Sequence, residues 1–221
     1  MLLNQLEYTL MNNPVRAAMQ RRVDAQRLVR LGGRMRGGAA LELGCGRGVG
    51  AELILDVFGA ERVDAFDLDR RMITRAQSRL RGRHATVRLW IADVTLIPVP
   101  SATYDAVFDF GILHHVPDWR RALAEVARVL KPGGRFYAME VLQAVIVHPL
   151  VRWLLTHPQV DRFDEPELTA ALRGAGLRPV ASQTFSRAFA WVVADRQAAA
   201  SHAWTRRAVR KAERLCACRD R

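Results

Sequence analysis

Short apolar runs alternate with longer amphipathic stretches along most of this chain. The short runs predict buried strands over 39–43, 62–67, 86–91, 104–110 and 135–140. Between and after them, apolar positions that recur every three to four residues predict helices over 14–30, 49–58, 69–81, 118–130 and 165–175. Strands that alternate with helices of this length indicate a parallel sheet that is covered on both faces.

In the last third of the chain, predicted strands no longer alternate regularly with helices. Two further strand-like runs, 177–185 and 188–194, follow each other with only a tight connection. A parallel pair needs a crossover of a dozen or more residues, so at least one of these strands should run antiparallel to the others. The sequence therefore predicts an α/β fold, with a doubly wound, mostly parallel seven-stranded sheet that has one antiparallel strand and helices on both faces.

The composition says more about where the protein is found and what it contacts than about what it does. The formal charge is +12, and all 34 basic residues except Lys131 and Lys211 are arginine. Such a surplus can attract phosphate backbones, anionic lipid surfaces or acidic substrates, but the arginines are scattered, which favours solvated faces. Three cysteines provide no disulfide framework, which favours a reducing cytoplasm. We expect no membrane span, because charged residues interrupt the longest apolar tract, and no metal site, because the histidines lack ligand spacing.

A glycine-rich turn at the end of the first predicted strand is the first candidate for chemistry. It comprises Glu42, Gly44, Cys45, Gly46 and Gly48. In doubly wound sheets, ligands bind at the carboxyl ends of strands, and glycines let a backbone turn sharply and approach a ligand closely. A dinucleotide-type glycine pattern that starts at Gly44 fails at its sixth position, and one that starts at Gly46 begins late relative to the strand.

Acidic residues end the next two predicted strands. Asp67, followed by Leu68, ends the second strand, where a carboxylate can accept both hydroxyls of a ribose. Asp69 is better explained as the N-cap of the following helix. Asp93 and Val94 follow the third strand, and Asp93 alone would be typical of a turn.

The fourth predicted strand carries the most distinctive segment. It ends in Asp109 and Phe110 and is followed by the sequence Leu-His-His-Val at 113–116 and by Lys-Pro-Gly-Gly at 131–134. Taken in order over about 39–140, these motifs resemble the class I S-adenosylmethionine-dependent methyltransferases. The likeness is to the bacterial small-molecule group that includes the C-methyltransferases of ubiquinone and menaquinone synthesis.

The resemblance implies S-adenosylmethionine as cofactor and S-adenosylhomocysteine as product. It implies that Glu42 faces the ammonium group, Asp67 the ribose and Asp93 the adenine amino group, with Val94 against the ring. The full set of cofactor-binding residues implied is Glu42, Gly44, Cys45, Gly46, Gly48, Asp67, Leu68, Asp93, Val94, Asp109 and Phe110.

The same resemblance divides the chain. Residues 1–38 become a helical cover, 39–196 the cofactor-binding domain with 141–164 as a lid or acceptor-pocket segment, and 197–221 a basic C-terminal helix. The acceptor is expected to be a small molecule, lipid-like or aromatic, because the 141–155 segment is apolar. An apolar lid beside an arginine-rich face also suggests contact with an anionic membrane surface.

A sulfonium donor is already activated, so alignment is the main catalytic task and a base is needed only if the acceptor loses a proton. His114 and His115 follow the fourth strand, and imidazole titrates near neutral pH, so either is a candidate base. Alternatively, one packs against the cofactor and the other caps the next helix.

Three further functions remain open on sequence alone. A nucleic-acid methyltransferase suits the charge, but the position where a base-holding Asn/Asp-Pro-Pro-Tyr motif would stand reads Asp-Phe-Gly-Ile over 109–112. The second is a nicotinamide-dependent oxidoreductase, which the late glycine pattern disfavours. The third is a non-catalytic protein that only binds the cofactor.

Overall fold

A seven-stranded sheet forms the centre of the protein. The computed structural model describes residues 13–146 and 161–197. The strands are β1 (Ala39–Leu43), β2 (Arg62–Asp67), β3 (Val87–Ile91), β4 (Tyr104–Phe110), β5 (Leu130–Val141), β6 (Leu177–Phe185) and β7 (Phe189–Arg196). Their order is β3-β2-β1-β4-β5-β7-β6, and β7 is antiparallel to both of its neighbours while the other pairs are parallel. The predicted fold class is confirmed.

Helices cover both faces of the sheet. Helix α1 consists of Pro14–Met19, a π-helical turn Gln20–Asp24 and Ala25–Gly32, and α2 consists of Val49–Leu53 and a π-helical turn Ile54–Phe58. The others are α3 (Arg70–Arg79), α4 (Trp119–Val129), α5 (Gln143–Ile146) and α6 (Glu165–Gly174), with short 3-10 turns at Arg81–Arg83 and Leu113–His115. Helices α1, α2 and α3 bury one apolar core, and α4 and α6 bury the other.

Aspartates begin three of these helices. The Asp69 carboxylate accepts the backbone N–H of Arg71 at 2.9 Å, and the Asp118 carboxylate accepts that of Arg121 at 3.1 Å. Both residues are therefore N-caps, as the sequence predicts. Asp164 caps α6 in a reciprocal capping box with Glu167.

One predicted boundary is wrong by five residues, and the others differ from the structure by two residues or fewer. β5 begins at Leu130, which pairs with Tyr104, rather than at Arg135. The Lys-Pro-Gly-Gly stretch, which the sequence predicts to lie outside the strand, forms a register shift within it, with Gly133 at φ 77°. The helix predicted over 69–81 ends at Arg79, and the next turn tightens to a 3-10 helix.

Several predicted segments lie outside the described residues. These are the start of the N-terminal cover, most of the 141–164 segment and almost all of the basic helix over 197–221. Within the described ranges, no helix has the length and apolarity needed to cross a bilayer. The same ranges contain no cluster of three or more metal-ligating side chains.

Candidate active site

A cavity, here called the first cavity, opens at the carboxyl ends of β1, β2 and β4. The strand order reverses between β1 and β4, which is where doubly wound sheets bind ligands. Three residues of α1 also contribute to its wall: Arg16, Ala17 and Gln20. The predicted site residues that line it are Glu42, Gly44, Cys45, Gly46, Asp67, Leu68, Asp93, Val94, Phe110 and His115.

The glycine-rich turn forms one side of the first cavity. Gly44 has φ 57° and Gly46 has φ 50°, a region that disfavours other residues. A Cβ atom on Gly44 would lie 2.7 Å from Cδ1 of Ile112, so the absent side chain also lets the β4 loop approach. Gly48 does not line the cavity. A Cβ there would lie 2.8 Å from Cδ1 of Leu80, so Gly48 faces the end of α3 instead.

Glu42 places a buried carboxylate in the wall of the first cavity. Its side chain is almost fully enclosed, and within the described ranges Oε2 has no hydrogen-bond partner. Burial, followed by the negative charge of Asp67, raises the pKa of Glu42 well above its ordinary value. Gly50 makes room for this carboxylate, because a Cβ on Gly50 would lie 1.8 Å from Oε1. A cationic ligand group in the cavity would satisfy Oε2, so the site fits an ammonium group.

Asp67 connects the glycine-rich turn to the end of β2. Oδ2 accepts the backbone N–H of Gly46 and Oδ1 accepts that of Asp69, both at 2.9 Å. Partial burial raises the pKa of Asp67 above its ordinary value. Each carboxylate oxygen can accept a second hydrogen bond, so Asp67 is held in place and still able to bind hydroxyl groups.

Asp93 belongs to a tight turn at the opposite side of the cavity. Its Oδ1 accepts both the backbone N–H and the hydroxyl of Thr95 at 2.8 Å. The backbone N–H of Thr95 is the main reason that the pKa of Asp93 is lowered. Val94 next to it is buried and provides an apolar wall.

The two adjacent histidines serve different cavities. His115 lines the first cavity, whereas His114 lines a neighbouring second cavity. The Nδ1 atom of His114 lies 2.7 Å from Oε2 of Glu140, which is fully buried at the end of β5. Neither histidine caps α4, because Asp118 does so.

Asp109 is buried behind the loop rather than in the lining of the first cavity. Its Oδ1 accepts the backbone N–H groups of Gly111 at 3.0 Å and Ile112 at 2.8 Å. Burial, followed by the negative charge of Glu140, raises the pKa of Asp109 well above its ordinary value. Asp109 therefore fixes the loop whose next residues separate the two cavities.

The second cavity lies between α1 and the ends of β5 and β7 and has a volume of about 360 Å³. It shares Arg16 and Gly111 with the first cavity. Its lining residues are Arg16, Met19, Val23, Asp24, Arg27, Gly111, His114, Met139, Val141, Phe185, Phe189 and Trp191. Sequence reasoning missed Glu140, Asp24 and Trp191, because the contacts that bring them here join residues far apart in the chain.

Several known methyltransferases are similar in sequence to this chain. Residues 41–138 match the family model described as a methyltransferase domain. A Mycolicibacterium smegmatis protein named as a probable S-adenosylmethionine-dependent methyltransferase is 37% identical over 107 residues, covering 48% of this chain and 39% of that protein. The 27-O-demethylrifamycin SV methyltransferase of Amycolatopsis mediterranei is 27% identical over 163 residues, covering 68% of this chain and 58% of that enzyme. The chain thus spans less than two thirds of the length of these relatives.

A solved structure has the same fold. It is the Burkholderia thailandensis 1,6-didemethyltoxoflavin-N1-methyltransferase with 1,6-didemethyltoxoflavin and S-adenosylhomocysteine bound. The TM-score is 0.62 at 26% identity, over 80% of this chain and 78% of that one. The strand order and the cavity at its switch point agree with the fold of that structure. Residues 41–138 are similar to a methyltransferase domain, and the Mycolicibacterium relative is named as dependent on S-adenosylmethionine.

Proposed function

We propose that this protein transfers the methyl group of S-adenosylmethionine to a small-molecule acceptor. The observation that carries the proposal is the buried Glu42 carboxylate, whose Oε2 lacks a partner among the described residues and which lines the first cavity. Leaving a buried acceptor unsatisfied costs about 1–3 kcal/mol, so the presence of such an oxygen in the wall of a cavity points to a ligand that supplies a donor.

Three carboxylates suit three parts of the cofactor. Glu42 would accept the ammonium group, Asp67 the ribose hydroxyls and Asp93 the adenine amino group, while Leu68, Val94 and Phe110 would provide apolar contacts. Asp93 keeps Oδ2 for this purpose, because Thr95 binds Oδ1. Gly44 and Gly46 would let the methionine part approach the backbone of the turn.

The bound sulfonium supplies an activated methyl group, so the chain's own task is to align the acceptor and exclude water. Holding two reactants in line can contribute about 7–11 kcal/mol to lowering the barrier. The second cavity is the acceptor site in this proposal, because it shares Arg16 and Gly111 with the first. Its volume of about 360 Å³ suits a small organic molecule.

The names of two relatives support a small-molecule acceptor. The Amycolatopsis enzyme is named for 27-O-demethylrifamycin SV, and the Burkholderia enzyme has 1,6-didemethyltoxoflavin bound. We therefore propose an acceptor of the lipid-like or aromatic kind and the cytoplasm as location. The sequence motifs resemble a bacterial small-molecule group that also includes the quinone C-methyltransferases.

Calorimetric titration of S-adenosylhomocysteine tests the cofactor assignment. We expect micromolar binding to the wild type and a loss of about 1.5–3 kcal/mol, or about ten- to a hundred-and-fifty-fold, in Asp67→Ala. Asp56→Asn is the matched control, because Asp56 is half-exposed on α2 and pairs only with Arg83 among the described contacts. A folded wild type that does not bind S-adenosylhomocysteine would refute the proposal.

Contact with an anionic membrane surface is a second, separate proposal. Helix α1 exposes Val15 (67%) and Met19 (48%), and Met19 also lines the second cavity. Exposed arginines such as Arg22 lie on the same helix. Flotation with phosphatidylglycerol vesicles at low salt should carry the wild type upward, and Val15→Ser/Met19→Ser should stay behind. Equal recovery of both proteins, or none with the vesicles, would contradict it.

A further inference from the structure

Glu140 accepts three backbone hydrogen bonds at the end of β5, an arrangement that favours its ionised form. Oε1 accepts the backbone N–H of Leu113 at 2.8 Å, and Oε2 accepts those of His114 and Val141 at 3.3 Å. Oε2 also lies 2.7 Å from Nδ1 of His114. An ionised carboxylate only accepts hydrogen bonds, so Nδ1 is the ring nitrogen that carries the hydrogen, and in the neutral imidazole the lone pair is on Nε2.

Asp109 explains how two buried carboxyl groups can lie side by side. Burial raises the pKa of both, and the charge of Glu140 raises that of Asp109 further. Within the described ranges, Oδ2 of Asp109 accepts no hydrogen bond. A proton on Oδ2 can be donated to Glu140, which leaves one negative charge, next to His114, instead of two.

The other polar groups in the second cavity are bound to one another. The Asp24 carboxylate accepts a hydrogen bond from Nη1 of Arg16 at 2.8 Å and another from the indole N–H of Trp191 at 3.1 Å. The guanidinium of Arg27 lies over the Trp191 ring, 4.1 Å from its centroid. Arg16 and Asp24 form an ion pair, and the remaining charged side chain of the described lining, Arg27, is engaged by the Trp191 ring. The wall therefore does not require a charged ligand.

The rest of the lining is apolar and aromatic. It includes Phe185, Phe189 and Trp191 from the β6–β7 hairpin and Met139 from β5. Flat aromatic ligands pack well against such side chains, and methionine sulfur also contacts aromatic rings favourably. The second cavity therefore combines an aromatic wall with the His114 imidazole, whose tautomer is set by its contact with Glu140.

We propose that the second cavity binds a neutral aromatic hydroxyl compound, a phenol or an enol, and that Glu140 is the positioning residue that holds His114 as its base. This inference rests on the proposed function, because the methyl group comes from S-adenosylmethionine. The hydroxyl proton passes to Nε2 of His114 while the acceptor oxygen forms a bond to the methyl carbon. The electron pair of the broken carbon–sulfur bond stays on the sulfur, and the imidazolium later loses its proton to water.

Among the described residues, several charged groups lie near His114, and Arg27 lines the same cavity. Glu140 and Asp109 face it from β5 and β4, and the His115 ring lies 4.1 Å away between centroids. Arg162 donates a hydrogen bond to the backbone carbonyl of His114. Arg16 and Asp24 share the cavity with it as a neutral pair. Glu140 thus contacts the ring directly, whereas the charges of Arg16 and Asp24 offset each other.

Nitrogen NMR of the wild-type imidazoles tests the tautomer without any variant. With S-adenosylhomocysteine bound, the His114 ring should show the Nδ1–H tautomer in its neutral form. The neutral Nε2–H tautomer would overturn the base role, because Nε2 would then have no lone pair to accept a proton.

Absorbance titration with 4-nitrophenol in the presence of S-adenosylhomocysteine tests the acceptor class. The phenolate absorbs at longer wavelength than the phenol, so the spectrum reports proton transfer in the cavity. We expect bound phenolate at a pH where the free compound is mostly phenol. Glu140→Gln and His114→Gln should bind the probe within about threefold of wild type but lower the bound phenolate about tenfold or more. His84→Gln, which changes a histidine in the turn after α3, is the control and should match the wild type.

The outcomes separate this inference from the proposed function. If S-adenosylhomocysteine binds but 4-nitrophenol at millimolar concentration does not, the acceptor class is wrong and the cofactor assignment stands. If phenolate forms equally in wild type and Glu140→Gln, Glu140 has only a structural role. If S-adenosylhomocysteine itself does not bind, the proposed function fails first.

Discussion

Gly50 offers a sharp test of how the first cavity is built. It lies in the first turn of α2, where alanine would ordinarily stabilise a helix by about 0.5–1 kcal/mol. Here a Cβ atom would lie 1.8 Å from Oε1 of Glu42 and 2.8 Å from Cδ2 of Phe110. Both side chains are buried, so neither can turn aside into solvent. We therefore expect the usual gain to become a loss.

The magnitude of the loss follows from two effects of Gly50→Ala. Overpacking of a well-filled interior costs about 1–3 kcal/mol, which should appear as a lower free energy of unfolding in urea. Displacement of the Glu42 carboxylate should remove the charge-assisted hydrogen bond that we propose between Glu42 and the cofactor, worth about 1.5–3 kcal/mol, or about ten- to a hundred-and-fifty-fold in affinity. Calorimetry with S-adenosylhomocysteine measures the second effect.

Gly174→Ala is the matched control for this prediction. Gly174 is the last residue of α6, and nothing lies within 4 Å of a Cβ atom added there. Its substitution should leave affinity unchanged and stability equal or up to about 1 kcal/mol higher. If Gly50→Ala were as stable as Gly174→Ala and bound S-adenosylhomocysteine like the wild type, the packing of Glu42 against Gly50 would be refuted.

Four other substitutions, at three positions, test the buried polar groups. Because burial raises the pKa of Glu42, its stabilising contribution is present at low pH and is lost as the pH rises through that pKa. Glu42→Gln should therefore raise the free energy of unfolding, measured in urea, at pH about 8, and it should raise it less at pH about 5. Asp109→Asn imitates a protonated Asp109 that donates to Glu140, so its stability should stay within about 0.5 kcal/mol of wild type in the same assay, whereas Asp109→Leu should lose about 1–3 kcal/mol. Trp191→Phe leaves Oδ1 of Asp24 without its indole donor, so the α1 amides should exchange hydrogen faster, and unchanged exchange would contradict the anchoring of α1.

The sheet was the most predictable part of the fold. The bounds of β1, β2 and β4 agree with the sequence prediction residue for residue. β1 and β4 are adjacent strands at the centre of the sheet, where burial on both faces produces short apolar runs, and β2 lies next to β1. The start of β5 could not be read in this way, because Lys131–Gly134 is typical of a loop and its register shift depends on pairing with β4.

The first cavity could largely be anticipated because topology alone brings strand ends together. Parallel strands share one carboxyl edge, so residues that follow β1, β2 and β3 must be near one another. The second cavity could not be anticipated, since its contacts follow no local pattern. Asp24 and Trp191 are 167 residues apart, and His114 and Glu140 are 26 apart. The π-helical turn that contains Asp24 also has no signal in the helical spacing of 14–30.

The loop after β4 explains how two adjacent histidines come to serve two cavities. Gly111 has φ 91°, and the backbone after it is tied down by two buried carboxylates: Asp109 binds its start and Glu140 binds the next turn. With both ends of the loop fixed, the two histidine rings lie side by side, 4.1 Å apart between centroids, and His115 lines the first cavity while His114 lines the second. The buried carboxylates would be costly in an apolar core, but here they accept backbone N–H groups of the loop between the two cavities. In the function that we propose, positioning of both reactants thus depends on groups that need not touch either one.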